Sequence, residues 1–370
     1  MPAPCARFKP GTEVTEPTRL FGRDAALQSL CAAMRAGTHT EVVAERKFGK
    51  SSLLRCAAAL LKDDERLLAV YIPVNYLTCS AWTDFYAWIS AHIMAVLGER
   101  RRPADLHAAR AFGSMYLATP QPDGNVREIF SQLHRQNPQK ILSAFQSLFS
   151  VLADAGVSTI LLLDEISTAL KHFDGDPEQF TYLRHIAMQS SSRSQALTVC
   201  TADRTEWQDI VSKTRGSPGL NFISNHLRVG PIAEDDARML LQTHAAECEP
   251  PFDMPPDIYD AVLNLAQAYP FYLKVTAEKA HHQVLSTGSR DTALLAEQTY
   301  ASARGHLLRY ITTCTTAEKK TLLAVISSPI SSQRRSTPLR RLFHRGLLRI
   351  DDDVFRPFNP LFSMACKEVL

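Results

Sequence analysis

Residues 40–52 read TEVVAERKFGKSS, and the stretch LLRCAAALLK follows them directly. The first residues, TEVVA, favour a short apolar strand, and the stretch LLRCAAALLK favours a helix. The loop between them carries glycine and lysine. The loop fits the pattern GxxxxGKS/T except that Ala44 replaces its first glycine. In that pattern the second glycine lets backbone amides wrap a phosphate, the lysine meets the β- and γ-phosphates, and the hydroxyl binds magnesium. Gly49, Lys50 and Ser51 therefore predict a nucleotide-binding loop, and its position after a strand argues against a chance basic turn.

A second apolar strand candidate ends in two adjacent carboxylates. Residues 160–165 read ILLLDE. A carboxylate at the carboxyl end of a strand can hold magnesium through water, and the next one can polarise an attacking water. We therefore expect Asp164 and Ser51 to hold Mg²⁺ and Glu165 to be the catalytic residue. The alternative is a helix cap or a salt-bridge pair at the strand end.

Polar residues near two further strand candidates extend the predicted site. Residues 196–204 read ALTVCTADR and could place Thr201 or Arg204 near the γ-phosphate, although threonine is also common in strands. Arg215 and Arg228 precede the end of the strand-bearing region and could reach the nucleotide of a neighbouring copy as arginine fingers. Solvation at the surface or a structural ion pair is the alternative for either arginine.

Composition narrows the class of protein. The 370 residues carry 41 basic and 38 acidic side chains, a formal net charge of +3. Such a balance gives no protein-wide field for nucleic acid or anionic lipid, so that kind of binding would need a local patch. No segment approaches the ~20 apolar residues of a membrane span, and the scattered cysteines predict reduced thiols. We expect a cytoplasmic protein without membrane segments.

The order of apolar runs predicts three domains. Short runs rich in branched residues alternate with helical segments, which favours an α/β fold with a parallel sheet covered on both faces. Residues 99–140 contain ERRRP, PQPDG and NPQK and predict an inserted or partly irregular excursion. After Gly230 and Pro231 the strand signals stop and helical periodicity takes over. The predicted boundaries are an α/β nucleotide-binding domain at 1–232, a helical lid domain at 233–300 and a winged-helix domain at 301–370.

The last domain carries a basic run. Residues 333–349 read QRRSTPLRRLFHRGLLR and include no acid. A strand, the acidic turn 351–353 and a second strand follow, as in a winged helix. The clustered arginines could neutralise phosphates of DNA; the alternatives are a solvated helix face, a docking surface for a protein, or an intramolecular contact with the acidic turn. The candidate contact residues are Arg334, Arg335, Arg340, Arg341 and Arg345.

Six blocks of the sequence together resemble a known family. In order they read RFKPGTEVTEPTRLFGR, EVVAERKFGKSSLL, TILLLDE, YLRHIAMQ, NHLRVGPIAEDDARMLL and QAYPFYLKVTAEKA. They are similar to bacterial and archaeal AAA-like ATPases of the STAND type, the signal-transduction ATPases with numerous domains. The resemblance covers nearly the whole chain and implies a AAA+-like P-loop NTPase sheet, a helical lid and a C-terminal winged helix. It also implies ATP or ADP with Mg²⁺ as cofactors.

The resemblance assigns further residues to the nucleotide. Gly22 and Arg23 would lie near the base, and Pro270, after Tyr269, would sense the nucleotide from the lid. The remaining loop residues expected at the nucleotide are Arg46, Lys47, Phe48 and Ser52. Alanine replaces glycine in the P-loop at position 44 and in the lid motif at position 268. Because only glycine takes positive φ freely, we expect the methyl of Ala44 to restrict the turn and to slow hydrolysis.

These features predict a nucleotide-dependent switch. ATP and Mg²⁺ would bind between the α/β domain and the lid, and closure would reposition the winged helix to control assembly or partner recognition. With the chain ending at Leu370, a separate effector or sensor protein would take the signal, and a homo-oligomer is a plausible intermediate. The resemblance suggests roles in defence or mobile-element regulation. The alternatives are a DNA-binding ATPase or loader that acts through the winged helix, and a degenerate ATPase that binds nucleotide permanently for stability.

Overall fold

The structure is a computed structural model that describes residues 8–74, 81–117, 125–166, 196–201, 223, 225–249 and 251–370. Five parallel strands form its main sheet in the order β2-β3-β4-β1-β5. The predicted α/β class with a parallel sheet is confirmed. The strands are β1 (Thr40–Val43), β2 (Leu67–Pro73), β3 (Ser158–Asp164), β4 (Ala196–Thr201) and β5 (Asn225–Arg228).

The strand order places the two predicted motifs at one edge of the sheet. β1 lies between β4 and β5, and β3 lies on the other side of β4. Val43, the last residue of β1, is in register with Thr201 in β4 and with Arg228 in β5. Because parallel strands end at the same edge, the loop after β1 and the carboxylates at the end of β3 share that edge.

Helices surround this sheet, and four of them form an insert between β2 and β3. Helix α1 (Asp24–Arg35) precedes β1, and α2 (Lys50–Leu60) follows the loop after β1. The insert comprises α3 (Trp82–Arg100), α4 (Pro103–Tyr116), α5 (Val126–His134) and α6 (Pro138–Asp154). Thirteen of the 19 residues of α3 are buried, and the insert has a hydrophobic core of its own against β2 and β3.

The excursion predicted at residues 99–140 is part of this insert, but where the structure describes it the stretch is mainly helical and not irregular. PQPDG, at 120–124, lies outside the described residues. Pro103 occupies the first turn of α4 and Pro138 the first turn of α6. Proline is well tolerated there because the first backbone amides of a helix have no partner within the helix. Asn137 caps α6 by accepting a hydrogen bond from the amide of Lys140 at 2.8 Å. ERRRP and NPQK are therefore helix starts, not loop signals.

The rest of the chain is a helical segment followed by a small sheet with helices. Helices α7 (Glu234–Ala246), α8 (Pro256–Ala266) and α9 (Pro270–Thr287) form the predicted lid region. Next come α10 (Thr292–Thr312), α11 (Thr316–Ser327), β6 (Ile330–Ser331), α12 (Thr337–Arg345), β7 (Leu348–Asp351), β8 (Val354–Pro357) and α13 (Pro360–Val369). The small sheet is antiparallel in the order β6-β8-β7. The helices, the strand, the acidic turn and the second strand that the sequence predicts are present, whereas β6 and α13 were not predicted. The winged-helix assignment stays a prediction.

One hydrophobic core joins α1 and α2 to the lid helices and to the C-terminal elements. Among the described residues, no helix is long and apolar enough to cross a membrane. Cys31, Cys56, Cys314 and Cys366 are free and buried. Cys248, by contrast, forms a disulfide, so the expectation of eight reduced thiols was wrong at that position. Spacing along a sequence does not show which thiols the fold brings together.

Candidate functional site

The loop between β1 and α2 is folded around its own lysine. Lys50 begins α2 and is only 7% exposed. Its Nζ donates hydrogen bonds to the carbonyl oxygens of Ala44 at 2.7 Å and Glu45 at 3.1 Å. Gly49, just before it, has φ +92°, a left-handed conformation that glycine takes without strain. A phosphate group entering the loop would compete with these two carbonyls for the ammonium.

The expected strain at Ala44 is absent. In this loop, positive φ values occur at Lys47 (+67°) and Gly49 (+92°), and Ala44 is not among the described residues with positive φ. The argument that the Ala44 methyl restricts the turn was therefore wrong, because the tight part of the turn lies three residues later. The alanine in the lid motif is different: Ala268 has φ +58°, where a side chain is disfavoured.

A cavity of about 420 Å³ lies over this loop. The N-terminal segment, the loop, the lid and α10 all contribute to its wall. The predicted residues that line it are Arg23, Arg46, Lys47, Phe48, Gly49, Lys50, Ser51, Ser52, Glu165 and Pro270. Ten of the 22 residues that line the cavity are thus predicted site residues, and they come from segments more than 200 residues apart in the sequence.

Sequence reasoning missed several cations in the same wall. Lys274, on α9, is 9% exposed, and burial, followed by the nearby charge of Arg19, lowers the pKa of its ammonium. It follows Pro270 by one helical turn and so lies on the same face of the helix, which is the signal that could have identified it. Arg309, on α10, also lines the cavity. A buried cation of this kind is stabilised by an anionic ligand.

Asp164 has the surroundings expected of a magnesium ligand. Its side chain is 3% exposed, and its Oδ2 accepts a hydrogen bond from the Tyr71 hydroxyl at 2.7 Å. Its Oδ1 is buried and lacks a hydrogen-bond partner in the described part of the chain. A buried carboxylate oxygen with no partner is costly unless a ligand supplies one. Ser51 lines the cavity, whereas Asp164 is not among the lining residues. A hydroxyl and a buried carboxylate oxygen without a partner are the oxygen ligands that suit a magnesium ion.

Glu165 is held by the loop itself. Its carboxylate forms an ion pair with Arg46 at 3.3 Å. Its φ of +54° lies in the left-handed region, and a non-glycine residue there stores strain of about 1 kcal/mol. Strained backbone of this kind occurs at sites where a residue changes position. The prediction from sequence had no signal for this pairing, because it depends on the local course of two loops.

Other predicted residues are only partly placed. Thr201 ends β4 beside Val43, but the structure does not describe its side chain. Arg204 and Arg215 lie outside the described residues. Arg228 ends β5 at the same edge of the sheet. Their roles at the γ-phosphate and as arginine fingers stay predictions.

Gly22 and Arg23 attach the N-terminal segment to the start of the lid. Arg23, 9% exposed, donates hydrogen bonds to the carbonyl oxygens of Pro231, at 3.3 Å, and Gly230. Burial lowers its pKa to about 10, so it remains a cation at neutral pH. Gly22 has φ +65°, and a Cβ built there would lie 2.7 Å from the Cβ of Ile232. Of the two residues, only Arg23 lines the cavity.

Phe48 connects the loop to the other two parts of the molecule. Its side chain is 1% exposed. Its ring centroid lies 4.6 Å from that of Tyr269 in the lid motif and 5.5 Å from that of Phe358 in the C-terminal part. Tyr310, on α10, donates its hydroxyl to the carbonyl oxygen of Arg46 at 2.6 Å. Phe48 therefore packs between domains and is not free to stack on a ligand.

A buried ion pair adds to this contact. Arg345, the last residue of α12, donates from Nε to Oε1 of Glu45 at 2.8 Å, and both residues are at most 5% exposed. Its Nη2 also donates to the Thr313 hydroxyl at 2.7 Å. The arginines of the basic run therefore fall into two groups. Arg345 faces the nucleotide-binding loop and is not accessible to a partner in this conformation. The exposed arginines are Arg334, Arg335, Arg340 and Arg341.

Solved structures share the overall fold of this chain. A Walker-type ATPase of Pyrococcus abyssi superposes with a TM-score of 0.59 at 16% identity, over 98% of this chain and 99% of that one. The ORC2 protein of Aeropyrum pernix, in its ADPNP–ADP complexes, gives a TM-score of 0.54 at 12% identity, over 98% and 96%. The chain therefore has the fold of AAA+-like P-loop ATPases. Its sequence matches no family model and no curated protein.

Proposed function

We propose that this AAA+-like protein is an ATP-dependent molecular switch of the STAND type. It binds ATP or ADP with Mg²⁺ in the cavity over the loop and couples the nucleotide state to the position of its C-terminal domain. One observation carries the proposal: the lid and the C-terminal domain both contact the nucleotide-binding loop, through Phe48 and through the Glu45–Arg345 ion pair.

Each residue at the cavity has a chemical role in this proposal. Lys50 and the amides at the start of α2 bind the phosphates, which the helix dipole also favours. Ser51 and Asp164 hold Mg²⁺, which neutralises phosphate charge when it is bound. Glu165 orients the attacking water after it leaves Arg46. Because that ion pair holds Glu165 in the present conformation, we expect slow basal hydrolysis.

The proposed coupling between nucleotide binding and the docking of α12 runs through two consecutive residues, Ala44 and Glu45. The carbonyls of Ala44 and Glu45 are bonded to Lys50, while the carboxylate of Glu45 is bonded to Arg345. A phosphate that draws Lys50 away removes the donor from both carbonyls. The same backbone segment carries the Glu45 side chain, so nucleotide binding and the docking of α12 act on one short segment.

The output of the switch is a change in assembly or in partner recognition. Thr201, Arg204, Arg215 and Arg228 are proposed to act at the γ-phosphate, the last two in a neighbouring copy. The resemblance to STAND ATPases supports a separate effector or sensor protein and a role in defence or mobile-element regulation, in the cytoplasm.

The test is hydrogen exchange by mass spectrometry on the wild type and on Lys50→Ala. We expect a non-hydrolysable ATP analogue with Mg²⁺ to increase exchange in α12 and at the end of α10 of the wild type. Lys50→Ala should bind no analogue and show no change. In parallel, light scattering should show Glu165→Gln assembling only with ATP and Mg²⁺. Nucleotide binding that leaves exchange in α12 and the assembly state unchanged contradicts the switch.

A second candidate is a DNA-binding ATPase. Arg334, Arg335, Arg340 and Arg341 are exposed on α12 and on the turn before it, a local basic patch of the kind that binds phosphates. Under this alternative, the double variant Arg340→Glu, Arg341→Glu should lose binding of duplex DNA in fluorescence anisotropy and retain nucleotide affinity. Duplex binding that survives both changes contradicts it.

A further inference from the structure

Tyr71 lies beside the carboxylate of the proposed magnesium site. It is on β2, opposite Leu162 in the register with β3, and reaches diagonally along the strand to Asp164. Its hydroxyl donates to Oδ2 at 2.7 Å, while Oδ1 has no partner among the described residues. One oxygen of the carboxylate is thus fixed by the protein and the other is left for a ligand.

A second pair of residues holds Tyr71 in place. The guanidinium of Arg55 lies over the Tyr71 ring, 4.1 Å from its centroid, and forms an ion pair with Glu13. Arg55 is on α2, one helical turn after Ser51, and Glu13 lines the cavity. The helix that carries the predicted metal hydroxyl therefore also braces the tyrosine that holds the predicted metal carboxylate.

The chemistry of the two groups fixes the direction of this hydrogen bond. An ionised carboxylate can only accept, so the phenol hydroxyl of Tyr71 donates to Oδ2 of Asp164. Without this donor, Asp164 would be a buried carboxylate with two unsatisfied oxygens, free to rotate about its terminal bond.

We propose that Tyr71 is a positioning residue for Mg²⁺: by fixing Oδ2 of Asp164 it presents Oδ1 to the metal. The inference rests on the proposed function, since it assumes that nucleotide and Mg²⁺ bind at this edge of the sheet. Partners that orient a metal ligand in this way commonly contribute 10- to 100-fold, as an order of magnitude, to metal affinity.

The test compares binding of a non-hydrolysable ATP analogue in EDTA and across a Mg²⁺ titration, by calorimetry, for the wild type and Tyr71→Phe. We expect Tyr71→Phe to bind the analogue normally in EDTA and to need about ten-fold more Mg²⁺ for half of the metal-dependent gain in affinity. The matched control is Tyr116→Phe, which removes a hydroxyl bonded to Ser147 at 2.9 Å in the helical insert. It should behave as the wild type in both conditions.

A double-mutant cycle separates positioning from general damage. If Tyr71 acts through Asp164, Tyr71→Phe should change the Mg²⁺ requirement no further in an Asp164→Asn background. An additive effect there, an equal loss of affinity in EDTA, or a Tyr71→Phe variant with an unchanged Mg²⁺ requirement each overturns the role of Tyr71. A wild type that binds no analogue in either condition overturns the proposed function as well.

Discussion

Gly22 has a packing role that the sequence resemblance does not imply. The sequence resemblance places it near the nucleotide base, but it does not line the cavity. Its positive φ and its approach to Ile232 and Asp236 show that it lets the N-terminal segment lie directly against the start of the lid. A glycine is required here by packing as well as by backbone conformation.

We expect Gly22→Ala to destabilise the protein by more than Gly156→Ala. Both positions have positive φ, which makes alanine unfavourable by about 1 kcal/mol. A Cβ at Gly156 meets nothing within 4 Å, whereas one at Gly22 lies 2.7 Å from Ile232, and overpacking of that kind adds about 1–3 kcal/mol. Urea unfolding of the two variants measures the difference, and equal losses would contradict the packing argument.

The roles of some residues in the nucleotide-binding loop could be predicted from the sequence, and those of others could not. Lys50 and Ser51 are predictable because the chemistry of phosphate and magnesium demands those side chains at that spacing. The positive φ of Lys47 is not predictable, because its conformation accompanies a contact of its ammonium with the Phe271 ring of the lid, 5.3 Å from the centroid. The error about Ala44 has the same origin: the pattern fixes residue types and not the position of the turn.

At the scale of elements, the strands were more predictable than the helical insert. Apolar runs such as ILLL before Asp164 need only be buried on both faces to form a central parallel strand. The insert depends on tertiary contacts: α3 is buried around most of its surface, so it shows little of the amphipathic pattern that reveals a surface helix. Its neighbours begin at prolines, which can be read equally as helix starts or as breaks.

The insert should make the stability of the protein sensitive to pH through His92. Burial, and then the charge of Arg55, lowers the pKa of His92 to about 4, so the folded protein holds a neutral imidazole. The unfolded chain takes up this proton near pH 6.5. The stabilisation is thus fully present above about pH 6.5 and is lost as the pH falls toward about 4. Between about pH 7 and about pH 5 the loss should be about 2 kcal/mol.

The variant His92→Phe removes this titration and keeps an aromatic ring beside Trp88, whose centroid lies 4.7 Å away. Its free energy of unfolding should depend less on pH than that of the wild type over this range. His282→Gln, which changes an exposed histidine of α9, is the control and should keep the wild-type dependence. Parallel curves for the wild type and His92→Phe would contradict the expected role of His92.

At the scale of the whole molecule, the nucleotide-binding loop is where three parts of the chain meet. Glu45 and Arg345 are 300 residues apart in sequence, and neither belongs to a motif that would pair them. The sequence could therefore predict the parts but not their contact. From the sequence, Arg345 was expected to belong to a basic face or to pair with the acidic turn. In the structure, Asp351 of that turn pairs with Arg349 and Arg356 instead.

We expect Arg345→Met to loosen the C-terminal domain and to tighten nucleotide binding. The change leaves the Glu45 carboxylate buried without its guanidinium, a loss of about 3–5 kcal/mol for a buried pair. Arg340→Met, on the exposed side of the same helix, should change the free energy of unfolding by no more than about 0.5 kcal/mol. Adding Glu45→Gln to Arg345→Met should recover part of the loss, since it removes the buried charge that has lost the Arg345 guanidinium.

The effect on affinity follows from linkage between the two sites. If docking of α12 at residues 44–45 disfavours entry of phosphate, bound phosphate disfavours docking by the same coupling free energy, and loss of the docking contact raises the affinity by no more than that coupling. For a coupling of about 1 kcal/mol, Arg345→Met should bind a non-hydrolysable ATP analogue about five-fold more tightly than the wild type. Calorimetry measures this, with Arg340→Met as the reference. Unchanged affinity in a destabilised Arg345→Met protein would show that the ion pair holds the domains together without sensing the nucleotide.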